Sequence, residues 1–226
     1  MSSQYETLPG ASLYPEVFHV PAPVPPPGTA VWPRQPGVFI RRVAVAAAAE
    51  DAAAPAPGRE LVAGQFGLVP RWVKSASDAK LRSTKLVNAR ADGVSTSANF
   101  REAWLAGQRC IVPMMAFQED DWRSGKAVPT RIARVDGQPM GVAGLWERWA
   151  GAGGEVIVSY TLLTVNANSH ALMHRYQQPG SEKSMPVLLN EGAWDAWLDA
   201  PVEKAREFLR AYPAQQLTAN PLESKR

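Results

Sequence analysis

Prolines and glycines are spread so densely along this chain that few stretches leave room for a long helix. The 226 residues include 20 prolines and 17 glycines, while a hydrophobic content of 46% supports a folded core. Proline fixes φ and biases the residue before it away from helix, so the PAPVPPPG run predicts an extended loop within residues 21–37. The Ala/Pro-rich tract at 46–60 predicts a second loop, between two strands. We therefore expect short strands joined by turns.

Runs rich in β-branched and apolar residues predict seven strands. They cover residues 38–45, 61–69, 109–117, 130–135, 140–146, 155–165 and 185–189. Capping residues predict short helices that begin after Ser97 and near Asn168, Asn190 and Pro201. Because helices and strands do not alternate as regular βαβ units, the pattern predicts an α+β fold. Its core is expected to be a curved, barrel-like and mostly antiparallel sheet with short helices inserted between strands.

Length and residue counts narrow the classes of protein further. At roughly 150 residues per domain, residues 1–226 are interpreted as a single domain. The lone cysteine, Cys110, excludes an internal disulfide framework, and three histidines leave little for a metal centre, so we expect neither metal nor cofactor. No apolar run approaches the roughly 18 residues of a membrane span, and no secretion signal begins the chain. These features predict a cytoplasmic protein with no membrane partner.

Positive charge is concentrated in one block. Residues 71–109 carry eight lysines and arginines against three acids, a net of +5 in a chain whose total is +3. Trp72, Phe100 and Trp104 lie in the same block. Cations interleaved with aromatic rings suit single-stranded nucleic acid, because they provide partners for phosphates and for base faces. The alternative is a solvated surface whose aromatic residues belong to the core, and charge alone does not decide between them.

Motifs for nucleotide loops, nucleophile elbows and zinc proteases are absent from the sequence. Five other segments resemble, in order and spacing, those of the SOS response-associated peptidase (SRAP) family, which processes abasic sites in DNA. They are GQFGLVPRW, KLVNARADGV, NFREAWLAGQRCIVPMMAFQED, GVAGLWERW and SMPVLL. The resemblance implies an SRAP-like fold, single-stranded or gapped DNA with abasic sites as partner, and lyase or crosslinking chemistry. It also implies a possible peptidase activity on residues before the reactive terminus, which here is Met1 alone.

The family's reactive residue is an N-terminal cysteine, and this chain has Ser2 in its place. In the family, the terminal amine forms a Schiff base with the abasic aldehyde and the thiol closes a thiazolidine ring. The amine suits this role because its pKa of about 7.7–8.0 lies far below the value of about 10.4 for lysine. A serine hydroxyl closes only an oxazolidine, which hydrolyses readily. Ser2 therefore leaves Schiff-base formation possible and a durable crosslink in question.

Three further positions match functional residues of the family. The resemblance implies that Asn88 orients the N-terminus or the sugar oxygen and that Arg90 binds a phosphate. It implies that Glu119 is a general acid and base, because imine formation must lose water. Without the resemblance, the Asn-Ala-Arg triplet is interpreted as a turn with a surface arginine and Glu119 as a solvated acid.

The family's histidine has two candidates here. The YQQPGSEKSM segment aligns Gln177 with it, whereas His174 lies three residues earlier. We assign the proton-transfer role to His174, because imidazole exchanges protons near neutral pH and an amide does not. Ser184 replaces the arginine that usually precedes Met-Pro, and Lys183 is its proposed substitute as a phosphate contact.

Arg71 and Trp72 complete the predicted DNA-binding set. Trp72 follows Pro70 in a loop, where it is interpreted either as a stacking surface for DNA or as a core residue. Two other functions remain open: a DNA-binding module that has lost the chemistry, and a hydrolase that uses Ser2 as an N-terminal nucleophile. We interpret Cys110, in an apolar strand, as an inert buried thiol.

Overall fold

The computed structural model describes residues 3–43 and 58–222, which form thirteen strands and four α-helices. The strands are β1 (Tyr5–Glu6), β2 (Ala30–Val31), β3 (Pro36–Arg42), β4 (Arg59–Phe66), β5 (Asn88–Arg90), β6 (Arg109–Met114), β7 (Ala116–Asp121), β8 (Val128–Arg134), β9 (Met140–Ala150), β10 (Val156–Asn166), β11 (Ser184–Pro186), β12 (Leu188–Leu189) and β13 (Leu217–Pro221). The helices are α1 (Ala76–Ser83), α2 (Arg101–Leu105), α3 (Trp194–Asp199) and α4 (Val202–Ala205). None of the helices in these residues has the length and apolarity needed to span a membrane.

Five strands close into a barrel. Pairing runs from β10 to β4, β3, β6, β9 and back to β10, and the only parallel contact in this ring is β10 with β4. Three short strands extend it: β5 and β11 pair with β10, and β12 pairs with β9. The predicted α+β fold with a mostly antiparallel, barrel-like sheet is confirmed.

A second, antiparallel sheet has the strand order β13, β8, β7, β1, β2. Only Met115 separates β6 from β7, so the chain passes directly from the barrel into this sheet. Tyr5 in β1 pairs with Phe117 in β7, and the amide of Gln118 donates to the carbonyl of Gln4. The pairing brings the first described residues of the chain alongside β7, the strand that carries Glu119.

Aromatic packing inside the barrel holds the N-terminal strand in place. Tyr5 packs edge-on against Phe66, and its hydroxyl hydrogen bonds to that of Tyr160. Both tyrosines are buried, and burying one side chain of this size stabilises a fold by roughly 1.5–3 kcal/mol. The approach of Tyr160 requires a glycine at 37, since a Cβ there would lie 1.9 Å from the tyrosine hydroxyl oxygen. The core thus fixes the position of the segment that leads into the candidate site.

The predicted elements agree with the structure in most of the barrel and differ at short segments. The Asn-Ala-Arg triplet forms β5 instead of a turn, because it pairs in parallel with residues 162–164 of β10. The region 21–37 contains β2 and the first residues of β3. Most of the tract at 46–60 lies outside the described residues, and its flanking strands β3 and β4 pair as a hairpin. The short helix predicted near Asn168 forms later, as a 3-10 turn at Met173–Arg175.

Candidate active site and nucleic-acid interface

Glu119 lies near the end of β7 with its side chain turned into the protein. The residue is 5% exposed, and burial raises the pKa of its carboxyl from 4.5 to about 7. A hydrogen bond from Gln177 acts in the opposite direction and lowers the same pKa. A carboxyl with a pKa near 7 can both release and accept a proton at neutral pH, which is the requirement for a general acid and base.

Gln177 is held in a backbone conformation that aims its amide at Glu119. Its φ of 71° lies in the left-handed region, which non-glycine residues rarely adopt and which concentrates at functional sites. Its backbone N–H donates to the carbonyl of Asp120 at 2.8 Å. The side-chain Nε2 donates to the carbonyl of Ser184 at 2.6 Å and to Oε1 of Glu119 at 3.4 Å. Both ends of the glutamine are therefore anchored, one to β7 and one to β11.

Two pockets meet at Glu119. The larger, of about 500 Å³, is lined on its other sides by Arg90, Trp122, Gln177 and Glu182. The smaller, of about 210 Å³, is lined by Ser3, Gln4, Trp32 and Asp120 among others. Ser2 lies outside the described residues. Its neighbour Ser3 lines a pocket with Glu119, and consecutive Cα atoms are about 3.8 Å apart.

Asn88 and Arg90 lie on β5, at the edge of the same region. Asn88 is partly buried and lines a separate pocket of about 470 Å³ with Lys85, Arg90 and Phe100. Arg90 lines this pocket and also the larger pocket beside Glu119, so the two are contiguous at its side chain. The arginine forms ion pairs with Asp92 at 2.7 Å and with Glu182 at 2.9 Å. The guanidinium that the sequence predicts to bind a phosphate is therefore already paired with two carboxylates.

His174 does not reach Glu119 in this structure. It is exposed, and its Nδ1 lies 2.7 Å from the carbonyl oxygen of His170. The 3-10 turn ends at Arg175, and the left-handed turn at Gln177 brings the glutamine, not the histidine, to the carboxyl. Of the two residues that the sequence left as candidates for the histidine position, Gln177 is the one that contacts Glu119.

Lys183 supports the loop that follows Gln177. Its Nζ donates to the carbonyls of Gln177 at 3.0 Å and Gln178 at 2.8 Å, and its side chain lines a pocket with Trp122 and His174. The ammonium therefore closes the turn between Gln177 and β11.

Arg71 and Trp72 lie apart from the pockets around Glu119. Nε of Arg71 pairs with Glu147 at 2.7 Å and Nη2 donates to Gln108 at 2.6 Å. Trp72 is 40% exposed, donates its indole N–H to the carbonyl of Ala98 at 3.0 Å and has the guanidinium of Arg82 over its ring at 4.8 Å. Both residues are accessible, but each already has partners within the protein.

The basic block is less positive at the surface than its sequence suggests. Arg71, Arg82 and Arg90 all form ion pairs with acids. Arg109 is buried, and its guanidinium donates to the carbonyl of Ala200. Phe100 and Trp104 are buried core residues, so Trp72 is the exposed one of the three aromatic side chains in the block.

No metal centre can be assembled from the residues that the structure describes, since no three His, Cys, Asp or Glu side chains are grouped for it. Cys110 is buried in β6, and burial raises the pKa of its thiol. Three residues of the site were not singled out from the sequence, namely Trp32, Trp122 and Glu182. No local sequence pattern identifies them as site residues, because each reaches the site from a loop whose position depends on distant strands.

Comparison with known proteins places this chain in a family. The model of the SOS response associated peptidase (SRAP) family matches residues 15–225. The abasic site processing protein YoqW of Bacillus subtilis is 30% identical over 159 residues, which cover 69% of this chain and 66% of that protein. The abasic site processing protein HMCES of Gallus gallus is 25% identical over 186 residues, which cover 73% of this chain and 53% of that protein. The chain thus matches between about half and two thirds of the length of these curated relatives.

A solved structure extends the similarity to almost the whole chain. It is a protein from Bordetella bronchiseptica with a TM-score of 0.85 and 41% sequence identity. The match covers 98% of this chain and 100% of that one.

Proposed function

Because the chain belongs to the SRAP family, we propose that it processes abasic sites in DNA by reacting with the abasic aldehyde through its N-terminal residue. The observation that carries the proposal is the buried Glu119, whose pKa of about 7 suits proton transfer, in a pocket that Ser3 also lines. Ser2 directly precedes Ser3 in the chain. The curated relatives named as abasic site processing proteins support the substrate class.

The proposed reaction begins with the amine of Ser2, once Met1 has been removed. At pH 7.5 about a third of α-amino groups are free base, against on the order of 0.1% of lysine side chains. The amine nitrogen attacks the aldehyde carbon of the ring-opened sugar and gives a carbinolamine. The protonated carboxyl of Glu119 donates its proton to the departing hydroxyl, which leaves as water. The nitrogen then returns a proton to the carboxylate, and the imine remains.

The other residues of the site position the DNA. Asn88 can hydrogen bond to the sugar oxygen or to the terminal amine, since an amide offers both donor and acceptor. Arg90 presents a planar fork to a phosphate at the point where its two pockets meet. Lys183, which lines the neighbouring pocket with Trp122 and His174, is a second cation for a phosphate. A single strand is the substrate that best fits, because an unpaired nucleotide reaches a buried carboxyl without the cost of opening a duplex.

Serine at position 2 determines how long the adduct lasts. Its hydroxyl can close an oxazolidine on the imine carbon, and this ring reopens in water. We therefore propose a reversible Schiff base, from which strand cleavage by a lyase step or release can follow. Removal of Met1 ahead of a small residue such as serine needs no autoproteolysis, so a peptidase step is not required for the reaction.

The deciding experiment is the intact mass of the protein after incubation with a single-stranded oligonucleotide that carries one abasic site. An adduct that is retained only when borohydride is present supports imine chemistry. The matched control is the same oligonucleotide with a tetrahydrofuran residue, which lacks the aldehyde and should give no adduct. The mass of the free protein also reports whether Met1 is present.

The second candidate is a DNA-binding module without chemistry, which the replacement of cysteine by Ser2 favours. It predicts that the protein binds both oligonucleotides equally and forms no adduct with either, with or without borohydride. That result would refute the reaction proposed for Ser2 and Glu119.

A further inference from the structure

Two of the eight tryptophans in this chain differ from the others in the contacts that their indole rings make. Each of the other six donates its indole N–H to a backbone carbonyl, or its ring contacts an aromatic ring or an arginine. The six are Trp72, Trp104, Trp146, Trp149, Trp194 and Trp197. Within the described residues, Trp32 and Trp122 have neither kind of contact. Their rings are therefore the ones without a partner in the fold.

Both of these tryptophans lie beside Glu119. Trp32 lines the smaller pocket with Ser3 and Glu119, and Trp122 lines the larger pocket with Arg90 and Glu119. The two pockets share Glu119 and Asp120, so one indole lies in the pocket on each side of the carboxyl. Both unpartnered tryptophans therefore line pockets that Glu119 also lines.

The backbone around each tryptophan is held by local hydrogen bonds. The backbone N–H of Trp32 donates to Oε1 of Gln35 at 3.1 Å, and its carbonyl accepts from the N–H of Gln35 at 3.0 Å. The carbonyl of Trp122 accepts from the N–H of Gly125 at 2.9 Å, which closes the turn after β7. Trp32 nevertheless remains 50% exposed. Trp32 therefore keeps surface that a ligand entering the smaller pocket can contact, and Trp122 is partly exposed in the larger pocket.

On the basis of the proposed function, we propose that Trp32 and Trp122 are stacking platforms for the two unpaired bases that flank the abasic nucleotide. An abasic nucleotide has no base of its own, so base contacts that hold the strand in register must come from the neighbouring nucleotides. Every base has a π face, and stacking on an aromatic side chain is tolerant of sequence. The platforms would place the sugar between them at Glu119 without restricting the sequence around the damage.

The test pairs protein variants with changes in the DNA. Binding is measured by fluorescence anisotropy with an oligonucleotide that carries one tetrahydrofuran residue between two thymines, which excludes covalent reaction. In two further oligonucleotides, the thymine on the 5′ or the 3′ side is replaced by a second tetrahydrofuran. For the unmodified protein, each base removed should weaken binding by roughly 5- to 150-fold, the range expected for one base–aromatic stack.

Each alanine variant should abolish the response to one flanking base and preserve the response to the other. Trp32→Ala and Trp122→Ala should therefore lose affinity for the thymine-flanked strand and differ in which base they no longer sense. The Trp→Phe variants should retain most of the affinity, because a smaller ring still stacks. Thermal melting of each variant checks the fold, and the retained response to the second base is an internal check on it.

Three outcomes would overturn the proposal. The unmodified protein could bind with the same affinity whether or not the flanking bases are present, or the Trp32→Ala and Trp122→Ala variants could bind like the unmodified protein. In the third outcome, Trp72→Ala would be the variant that loses the response to a flanking base. Failure of the proposed function is distinguishable, because it appears as the absence of a borohydride-trapped adduct while the stacking response persists. A protein that binds none of these strands would refute both.

Discussion

The side-chain amide of Gln177 donates a hydrogen bond to the carboxylate of Glu119 across 3.4 Å, although 58 residues separate them in the chain. The same amide group is tied to Ser184, whose backbone N–H donates to Oε1 of Gln177 at 3.2 Å. These hydrogen bonds keep the glutamine side chain from rotating freely. An amide also does not titrate near neutral pH, so the glutamine cannot act as an acid or a base. Its place beside the acid makes Glu119 the group at this contact that can transfer protons.

Glu119→Gln should slow formation of the borohydride-trapped adduct by at least tenfold. Positioned general acids and bases contribute about 10²–10⁴-fold, and glutamine keeps the shape of the side chain without its proton. The affinity for a tetrahydrofuran oligonucleotide should change little, because the carboxyl does not bind phosphate. The measurement is the rate of adduct formation at saturating DNA. An unchanged rate would remove Glu119 from the chemistry.

Gln177→Ala should shift the pH dependence of adduct formation, whereas His174→Ala should not. The hydrogen bond from Gln177 lowers the pKa of Glu119, so its loss should raise that pKa and move the corresponding limb of the rate profile to higher pH. His174 contacts the carbonyl of His170 and serves as the matched control in the same segment. The opposite pattern would restore proton transfer to His174.

Burial of Glu119 should make the stability of the protein fall as the pH rises. The pKa of this carboxyl is about 7 in the fold and 4.5 when exposed, so the folded state binds more protons between these values. Relative to the unmodified protein, Glu119→Gln should therefore gain up to about 3 kcal/mol of unfolding free energy as the pH rises from 4.5 to 7, at about 1.4 kcal/mol per pKa unit. Urea unfolding at several pH values measures this difference. A difference independent of pH would show that Glu119 titrates normally.

Ser2→Cys should convert a reversible adduct into one that survives heating without borohydride. Both proteins have the terminal amine, but only sulfur closes a thiazolidine that resists hydrolysis. Gel mobility after heat treatment distinguishes the two, and Ser3→Cys controls for an added thiol one residue later. Equally stable adducts from Ser2 and Cys at this position would show that ring closure by sulfur is not what makes the link durable.

Arg90→Ala should reduce the salt dependence of single-strand binding. One lost phosphate contact lowers the slope of log K against log salt by roughly 0.7 on a single strand. Arg210→Ala removes the same charge from an exposed residue that lines none of the pockets around Glu119 and should leave the slope nearly unchanged. Equal slopes for Arg90→Ala and the unmodified protein would exclude Arg90 as a phosphate ligand.

Glu182→Gln should strengthen single-strand binding by about 1.4- to fivefold at low salt. The ion pair of Arg90 with Glu182, at 2.9 Å, must open before a phosphate can take the same guanidinium, and an exposed pair contributes roughly 0.2–1 kcal/mol. Glu16→Gln makes the same change of charge on an exposed residue outside these pockets. An equal gain from both variants would reduce the effect to net charge.

The α+β barrel was predictable from the sequence because its strands are long, apolar runs whose character is local. The strands β6, β9 and β10 lie where β-branched and apolar residues cluster. Short strands were not predictable. With two and three residues, β1 and β5 are too short to show the alternation of apolar and polar residues that predicts a strand. They are strands because they pair with β7 and β10.

For the candidate site, the sequence by itself determined that Asn88, Arg90 and Glu119 are candidate functional residues, because the motifs that contain them resemble those of the family. Only the tertiary structure decided what surrounds them. A left-handed turn brings Gln177 instead of His174 to the carboxyl, and Arg90 forms an ion pair with Glu182 at 2.9 Å. The loops carrying Trp32 and Trp122 complete the pockets. These relationships join residues distant in the chain, and the pKa of Glu119 depends on the burial that results, which no local pattern encodes.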